Sequence, residues 1–319
     1  MWRSFRLPTT VLLGTATTMA VLATPATGAP EPPVEWDKPS GTSVSFVVVD
    51  RQTGQVRAEH AAHTQYRSAS LVKLLIALDY VESRGPDAPI PPGDRALLES
   101  MLRSSDDDAA SELWVRGGWE TIVQRMADRL ELTDTEPPAD RRVWGYTATS
   151  AADVARIYEY LLDKADPSVS DVILGNLRMA TRCAADGRDQ YFGIPTAVDE
   201  PWAVKQGWSG YEEVVPGEEC HERIDRGTAP EEIPTLRDAA IRAQADRGPD
   251  IDLTRRAMHT SGTIGADHNM IMVLLSLHPE GTPYQTSAQQ VTAIVRALYL
   301  AVKVAPPDPV RRWPDVESR

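Results

Sequence analysis

The sequence predicts an α+β fold: an antiparallel sheet packed by helices, with an all-helical lobe inserted between the two halves of the sheet. Two observations carry that reading. Apolar periodicity changes along the chain in the order strand, strand, a run of helices, three strands, helix. The 319 residues, 42% hydrophobic and 25% charged, have the profile of a folded, water-soluble, enzyme-sized protein, which excludes disorder, collagen and a multi-span membrane protein. A chain of this length buries most of its apolar surface in one or two cores, so size alone demands neither disulfides nor metals.

The N-terminus is basic from Met1 to Arg6, apolar and Thr-rich over 11–23, and small-residue at Thr27-Gly28-Ala29 before Pro30. That is the pattern of a secretory signal peptide, expected over 1–29, and its apolar stretch is short for a bilayer span. No cysteine follows it to carry a lipid. A secreted or cell-envelope protein with no integral span after cleavage is expected. A Pro-rich leader covers 30–42.

Residues 44–49 are a β-branched run, Asp50-Arg51-Gln52-Thr53-Gly54 supplies turn chemistry, and 55–60 continue as a second strand, giving a hairpin. Ser70 opens an apolar segment over 71–81, periodic enough for a buried helix that closes at Arg84-Gly85-Pro86. Helices follow over 94–102 and 108–115, flanking a polar break at Ser104-Ser105-Asp106-Asp107. Gly117-Gly118 stops the second, and 119–130 makes another. Residues 133–146, with Glu136-Pro137-Pro138 and two arginines, show no periodicity and read as a long ordered loop, a feature that is often functional. Thr149 or Ser150 caps a helix to Lys164, and 170–182 form the next.

Residues 202–205 are a short strand ending at Gly207, further strands lie at 257–261 and 270–277, and 286–302 form the terminal helix. Between 211 and 254 the composition turns acidic, which reads as an inserted surface flap with one helix at 235–246. The main domain is therefore expected over 43–302, with an α/β lobe at 43–69 and about 183–302, a helical lobe at about 70–182, and a Pro-rich tail at 303–319.

A formal net charge of −13 repels phosphate backbones, and no basic stripe interleaved with aromatics is present, so nucleic acid is excluded as a partner. The expected partner is a small molecule or a peptide, and the expected state a monomer. The two cysteines, Cys183 and Cys220, meet an oxidising compartment after export, where a disulfide between them is expected.

The chemistry begins at Ser70-Leu71-Val72-Lys73. A hydroxyl and an amine at i and i+3 share one helix face about a turn apart, with the serine at the positive helix end. A desolvated amine kept from full protonation can take the hydroxyl proton, while amides at the helix start donate to a developing oxyanion. A lone Ser-x-x-Lys arises by chance in a chain of this length; its context gives it weight. A hairpin precedes it, Ser105-Asp106-Asp107 breaks two helices after it, and Lys205-Gln206-Gly207 lies on a later strand.

That ordered set resembles the penicillin-recognising serine hydrolases, especially class A β-lactamases, whose pattern is S-x-x-K, S-x-N and K-T-G. Residues 101–110 and 147–162 are similar to that family as well, and the resemblance spans about 43–302. It implies a β-lactamase/transpeptidase-like fold with Ser70 as the acylated nucleophile and Lys73 as its base. Ser105 would be a hydroxyl relay to the leaving nitrogen, and Lys205 would attract the substrate carboxylate. Asp107, Gln206, Gly207 and Ser209 would line the substrate site, with the amides of Ser70 and Ser209 as the oxyanion hole.

Several positions depart from the family. Asp107 replaces Asn and, beside a lysine, tends to hold Lys73 protonated. Gln206 replaces the hydroxyl residue of K-T-G. The stretch between Lys73 and Ser105 is short, so one wall of the cleft would be missing. The 133–146 loop corresponds to the one where class A β-lactamases keep a water-activating glutamate followed by Asn, and that pattern is absent; Glu136 is its one glutamate and stands at the wrong spacing. Weak deacylation follows, which suits a D,D-peptidase-like or penicillin-binding role. The alternative is a non-catalytic cell-envelope binding protein on the same fold. His259 lies on the strand beside Lys205 and could face the cleft. His60, His63, His221, His268 and His278 lack metal-ligand spacing, so neither a metal nor a cofactor is expected.

Overall fold

A computed structural model of the chain describes residues 38–85, 88–215, 217, 219–220 and 251–304. The signal peptide, most of the leader, most of the acidic insertion with its 235–246 helix, and the tail past Val304 lie outside the described residues.

Strand β1 (Ser43–Asp50) alternates Val47 and Val49 on one face with Val44, Phe46 and Val48 on the other, and both sets are buried. A strand apolar on both faces must be covered on both sides. It pairs with β2 (Gln55–His60) and, on its other edge, with β7 (Met270–His278), whose Ile271, Val273 and Leu275 face the side of Val47 and whose Met272 and Leu274 face the side of Val48. β6 (Arg256–Ile264) pairs with β7, and β5 (Trp202–Ser209) completes an antiparallel sheet in the order β2-β1-β7-β6-β5, leaving β5 as an edge.

One face carries the long helix α8 (Tyr284–Val304), which buries Val291, Ile294, Val295 and Leu298 against β1 and β7, and the short helix α7 (Ile194–Ala197). The other face carries the helical lobe: α1 (Lys73–Ser83), α2 (Pro92–Arg103), α3 (Asp107–Arg116), α4 (Thr121–Leu130), α5 (Ala151–Asp163) and α6 (Pro167–Arg178). At its centre α1 is apolar all round, with Leu74, Leu75, Ile76, Ala77 and Leu78 each at most 2% exposed, as a helix surrounded by other helices must be. No helix among the described residues is long and apolar enough to cross a membrane.

The predicted elements are present with shifted ends. The helix expected at 170–182 begins at Pro167, because Asp166 caps it by accepting from the Ser168 amide at 2.8 Å and proline fits the first turn. The strand expected to stop at Lys205 runs on to Ser209; Gly207 is a site of close backbone approach and not a terminator. A small second sheet pairs β3 (Tyr66–Arg67) with β4 (Ala148–Thr149), too short for periodicity to reveal.

Two histidines are sealed in the sheet region. His259 on β6 holds its Nε2 2.8 Å from the Arg67 carbonyl and accepts from the Ser276 amide at 3.1 Å on Nδ1; His278 contacts Ser276 and Gln290. Burial holds both rings down to about 4, whereas an unfolded histidine titrates near 6.5. Between those values the unfolded chain binds more protons, so stability falls as pH drops through that window, and these two groups leave it unchanged above the window. Urea denaturation from pH 7.5 to 4 should show that decline, with a shallower slope in His278→Gln. Parallel slopes for the two proteins would remove His278 from the cause.

Candidate active site

Ser70 lies in a 3-10 turn, Ala69–Val72, that feeds directly into α1; the sequence reading placed it at the helix start itself. Ala69 takes a left-handed φ of 46°, a strained choice for a residue with a Cβ. The turn is held from outside: the Ser68 amide donates to the Thr147 carbonyl at 2.7 Å. The backbone of β5 presses against it at Gly207, where a Cβ would stand 3.3 Å from the Ser70 nitrogen and 3.2 Å from the Ser68 carbonyl oxygen. Only glycine lets the sheet edge come this close. Ser70 is 7% exposed, and no hydrogen bond engages its hydroxyl among the described residues.

Beside it, three parts of the chain converge. Ser105 stands in the break between α2 and α3 with φ 58°, and Asp106 caps α3 by accepting from the Asp108 and Ala109 amides at 2.9 and 3.1 Å. That geometry turns Ser105 toward α1. The Lys73 amine, fully buried, donates to the Ser105 carbonyl at 2.6 Å, to the Ser105 hydroxyl at 3.2 Å and to Asp107 Oδ1 at 2.5 Å. The Trp144 ring covers it at 4.9 Å, and the Trp144 indole N–H donates to the Ser111 hydroxyl at 3.1 Å. From β5, the Lys205 amine lies 2.9 Å from the same Ser105 hydroxyl and 3.2 Å from the Gln206 carbonyl. Burial drives Lys205 well below the ordinary lysine value and the Lys73 charge pushes the same way, while Asp107 and Asp186 oppose.

Lys73, Ser105, Lys205 and Asp107 thus share one hydrogen-bonded cluster, with Ser70 and Gly207 against it. The Lys73 amine is directed at Asp107 and Ser105 and not at the Ser70 hydroxyl. Other expected residues point elsewhere, for a reason set by the strand. Successive β5 side chains alternate, so Lys205 and Ser209 share a face and Gln206 faces away. Gln206 is buried against the α8 side, donating to the Gln190 and Phe192 carbonyls. Ser209 shares the Lys205 side, but its hydroxyl and carbonyl accept from the buried Arg67 guanidinium at 3.0 and 3.2 Å. His259, read as a cleft candidate, serves the Arg67 carbonyl. Glu136 bridges Ala148 and accepts from Gln65 at 2.7 Å.

Trp144 and Asp186 went unnoticed in the sequence. Asp153 on α5 accepts from the Thr133 and Asp134 amides at 3.2 and 2.8 Å and from the Thr135 hydroxyl at 2.7 Å, anchoring the loop whose far end sets Trp144 over Lys73. Asp186 accepts from the Trp208 indole at 2.8 Å. It belongs to a loop that the Cys183–Cys220 disulfide and a Cys220 amide bond to the Gly187 carbonyl (2.8 Å) tie down. The same loop donates from the Ala185 amide to the Ser104 carbonyl at 2.7 Å, next to Ser105. Among the described residues no cluster of three or more His, Cys, Asp or Glu side chains is arranged for a metal ion.

Solved structures share this architecture. A class A β-lactamase from Mycobacterium abscessus aligns over 83% of this chain and 95% of its own, with TM-score 0.55 and 15% identity. A representative from Bacteroides cellulosilyticus aligns over 83% and 93%, with TM-score 0.56 and 11% identity. The chain has the class A β-lactamase fold. PBP-A shares it too, over 83% of this chain and 92% of its own, with TM-score 0.55 and 13% identity. At these identities the likeness is one of fold. In sequence, the chain is 41% identical over 175 residues to "Putative lipoprotein LppW" of Mycobacterium tuberculosis and Mycobacterium bovis. That match covers 53% of this chain and 54% of the relative, so the chain spans about half the length of the curated relatives it matches. No family model matches the chain.

The disulfide closes a separation of 37 residues around Lys205, and a loop of that size restricts the unfolded chain by about 3–4 kcal/mol on the loop-entropy account. The double variant Cys183→Ser/Cys220→Ser should lose about that much stability in urea denaturation, and wild type under reducing agent should fall to match it. A wild-type midpoint that reducing agent leaves unmoved would speak against the bond.

Proposed function

We propose that the chain is an exported serine hydrolase of β-lactamase and D,D-peptidase type, in which Ser70 is acylated by a β-lactam or by a peptide ending like D-Ala-D-Ala. The observation that carries this is the hydrogen-bonded cluster of Lys73, Ser105 and Lys205 beside a serine hydroxyl engaged by no described residue. A hydroxyl poised among amines at the start of a buried helix is the arrangement nucleophilic acyl transfer needs. Ser105 would hand a proton to the leaving nitrogen, the lysines would draw an anionic group of the substrate, and the Ser70 amide with the Ser209 amide at the sheet edge would hold the developing oxyanion. The acylated state of a solved PBP-A, an acyl-enzyme complex with penicillin G, supports the substrate class by fold analogy. Similarity to a lipoprotein supports an envelope location.

Deacylation would be slow. The loop above Lys73 presents the Trp144 ring, and its glutamate, Glu136, is committed to Gln65 and Ala148. A long-lived acyl-enzyme fits a peptidase or penicillin-binding role better than rapid lactam destruction. A second reading, a cleft that binds envelope ligands without reacting, is favoured by the Lys73 amine being turned to Asp107 and Ser105.

Incubation with a fluorescent penicillin should add one adduct by intact mass, lost in Ser70→Ala, while steady-state turnover of a chromogenic cephalosporin should be slow or undetectable. A wild-type chain left unlabelled by saturating probe would favour the binding-protein reading. Fast cephalosporin turnover would overturn the slow-deacylation argument alone.

A further inference from the structure

The two buried lysines are not equivalent. Lys73 meets three oxygen acceptors, the Ser105 carbonyl, the Ser105 hydroxyl and Asp107 Oδ1, and lies over the Trp144 face. An amine with three acceptors and an aromatic face is an ammonium whose hydrogens are all spoken for. Lys205 meets two groups, the Ser105 hydroxyl at 2.9 Å and the Gln206 carbonyl at 3.2 Å, and is 1% exposed. A neutral amine fits there: one N–H donates to the Gln206 carbonyl, and the lone pair receives the Ser105 hydroxyl hydrogen. Ser105 is then satisfied on both sides, accepting from Lys73 and donating to Lys205.

Resting on the acyl-transfer reading, we propose that Lys205, acting through the Ser105 hydroxyl, is the proton acceptor when Ser70 attacks, and that Lys73 is a fixed cation. As the Ser70 oxygen bonds to the acyl carbon, its O–H bond breaks and the proton passes to the Ser105 oxygen, while the Ser105 hydroxyl proton moves to the Lys205 lone pair. When the acyl–nitrogen bond breaks, the ammonium of Lys205 returns a proton through Ser105 to the leaving nitrogen, and the amine is neutral again. The charged groups facing Lys205 are Lys73 from α1, Asp107 from α3 and Asp186 from the disulfide-bound loop. An anionic substrate group seated beside Lys205 favours its charged form, so the acceptor strengthens as the substrate binds.

The test is the pH dependence of Ser70 acylation by the fluorescent penicillin, measured on the full chain. Lys205→Arg keeps a positive charge but accepts no proton at working pH. Acylation by this variant should be slower by about 10²-fold or more and should lose the rising limb of the wild-type pH profile, with noncovalent binding of the probe retained. Lysine-selective ¹³C NMR provides a second measurement that needs no substitution of Lys205, since the chain has five lysines, Lys38, Lys73, Lys164, Lys205 and Lys303. The exposed Asp107→Asn change marks the Lys73 resonance by its shift, and substitutions of the three distant lysines mark theirs. The remaining resonance should titrate with the midpoint of the kinetic limb. The proposal is overturned if the Lys73 resonance follows the limb, or if folded Lys205→Arg keeps it. Wild type that takes no label at any pH removes the acyl-transfer reading and this inference together, whereas labelling with an intact limb in Lys205→Arg removes the inference alone.

Discussion

The hydroxyl of Ser105 lies within hydrogen-bond distance of two lysine amines, Lys73 at 3.2 Å and Lys205 at 2.9 Å, both cut off from solvent. The amines are therefore no more than about 6 Å apart, and two full charges at that separation repel by about 3 kcal/mol even at an effective dielectric of 20, before either is desolvated. Such a site cannot hold two ammonium groups without compensation. The protein places one carboxylate, Asp107, on Lys73 and leaves Lys205 with neutral partners. The asymmetry between the two amines follows from where that carboxylate is.

The fold exists in the form that delivers these groups to one oxygen. Ser105 faces α1 because the chain turns left-handed between two helices and Asp106 immediately starts the next one. Lys205 arrives from the edge of a sheet that is covered on both faces, and the edge reaches the Ser70 turn because position 207 has no side chain. Distant anchors then prevent drift. Arg67, fully buried, ties the end of β5 to the carbonyls of Asp252 and Arg255, and the Cys183–Cys220 loop is bonded to the residue before Ser105.

How much of this was legible varied with the range of the interaction. The sheet, the helical lobe and the Ser70–Lys73 pair follow from periodicity and from spacing within one helix, which are local properties of the chain. The alternation of β5 was also legible: once Lys205 is placed toward the cleft, Gln206 must turn away, although the motif reading grouped them. The 3-10 turn at Ser70 was not, since it depends on a Thr147 carbonyl 79 residues distant in sequence reaching Ser68. Trp144 escaped notice because an aperiodic loop offers no pattern for which side chain folds inward, and that choice is made by Asp153 on the following helix.

The loop carries the last step of the argument. In an acylated site the fate of the intermediate is decided by whether a base can hold water against the ester. Here the groups near Ser70 are an ammonium already bonded to Asp107, an amine shared with Ser105, and an indole face. Asp107 is the carboxylate in contact with this cluster, and the oxygen it presents is spent on Lys73. Trp144 excludes water from the Lys73 side and strengthens the field of the ammonium beneath it, since a charge over an aromatic face is stabilised only while it remains a charge. The ring that shields the lysine therefore works against the lysine acting as a base at either stage of the reaction. A site built this way holds an anionic acyl group more readily than it releases one, and its chemistry is directed toward capture and persistence of the bound species.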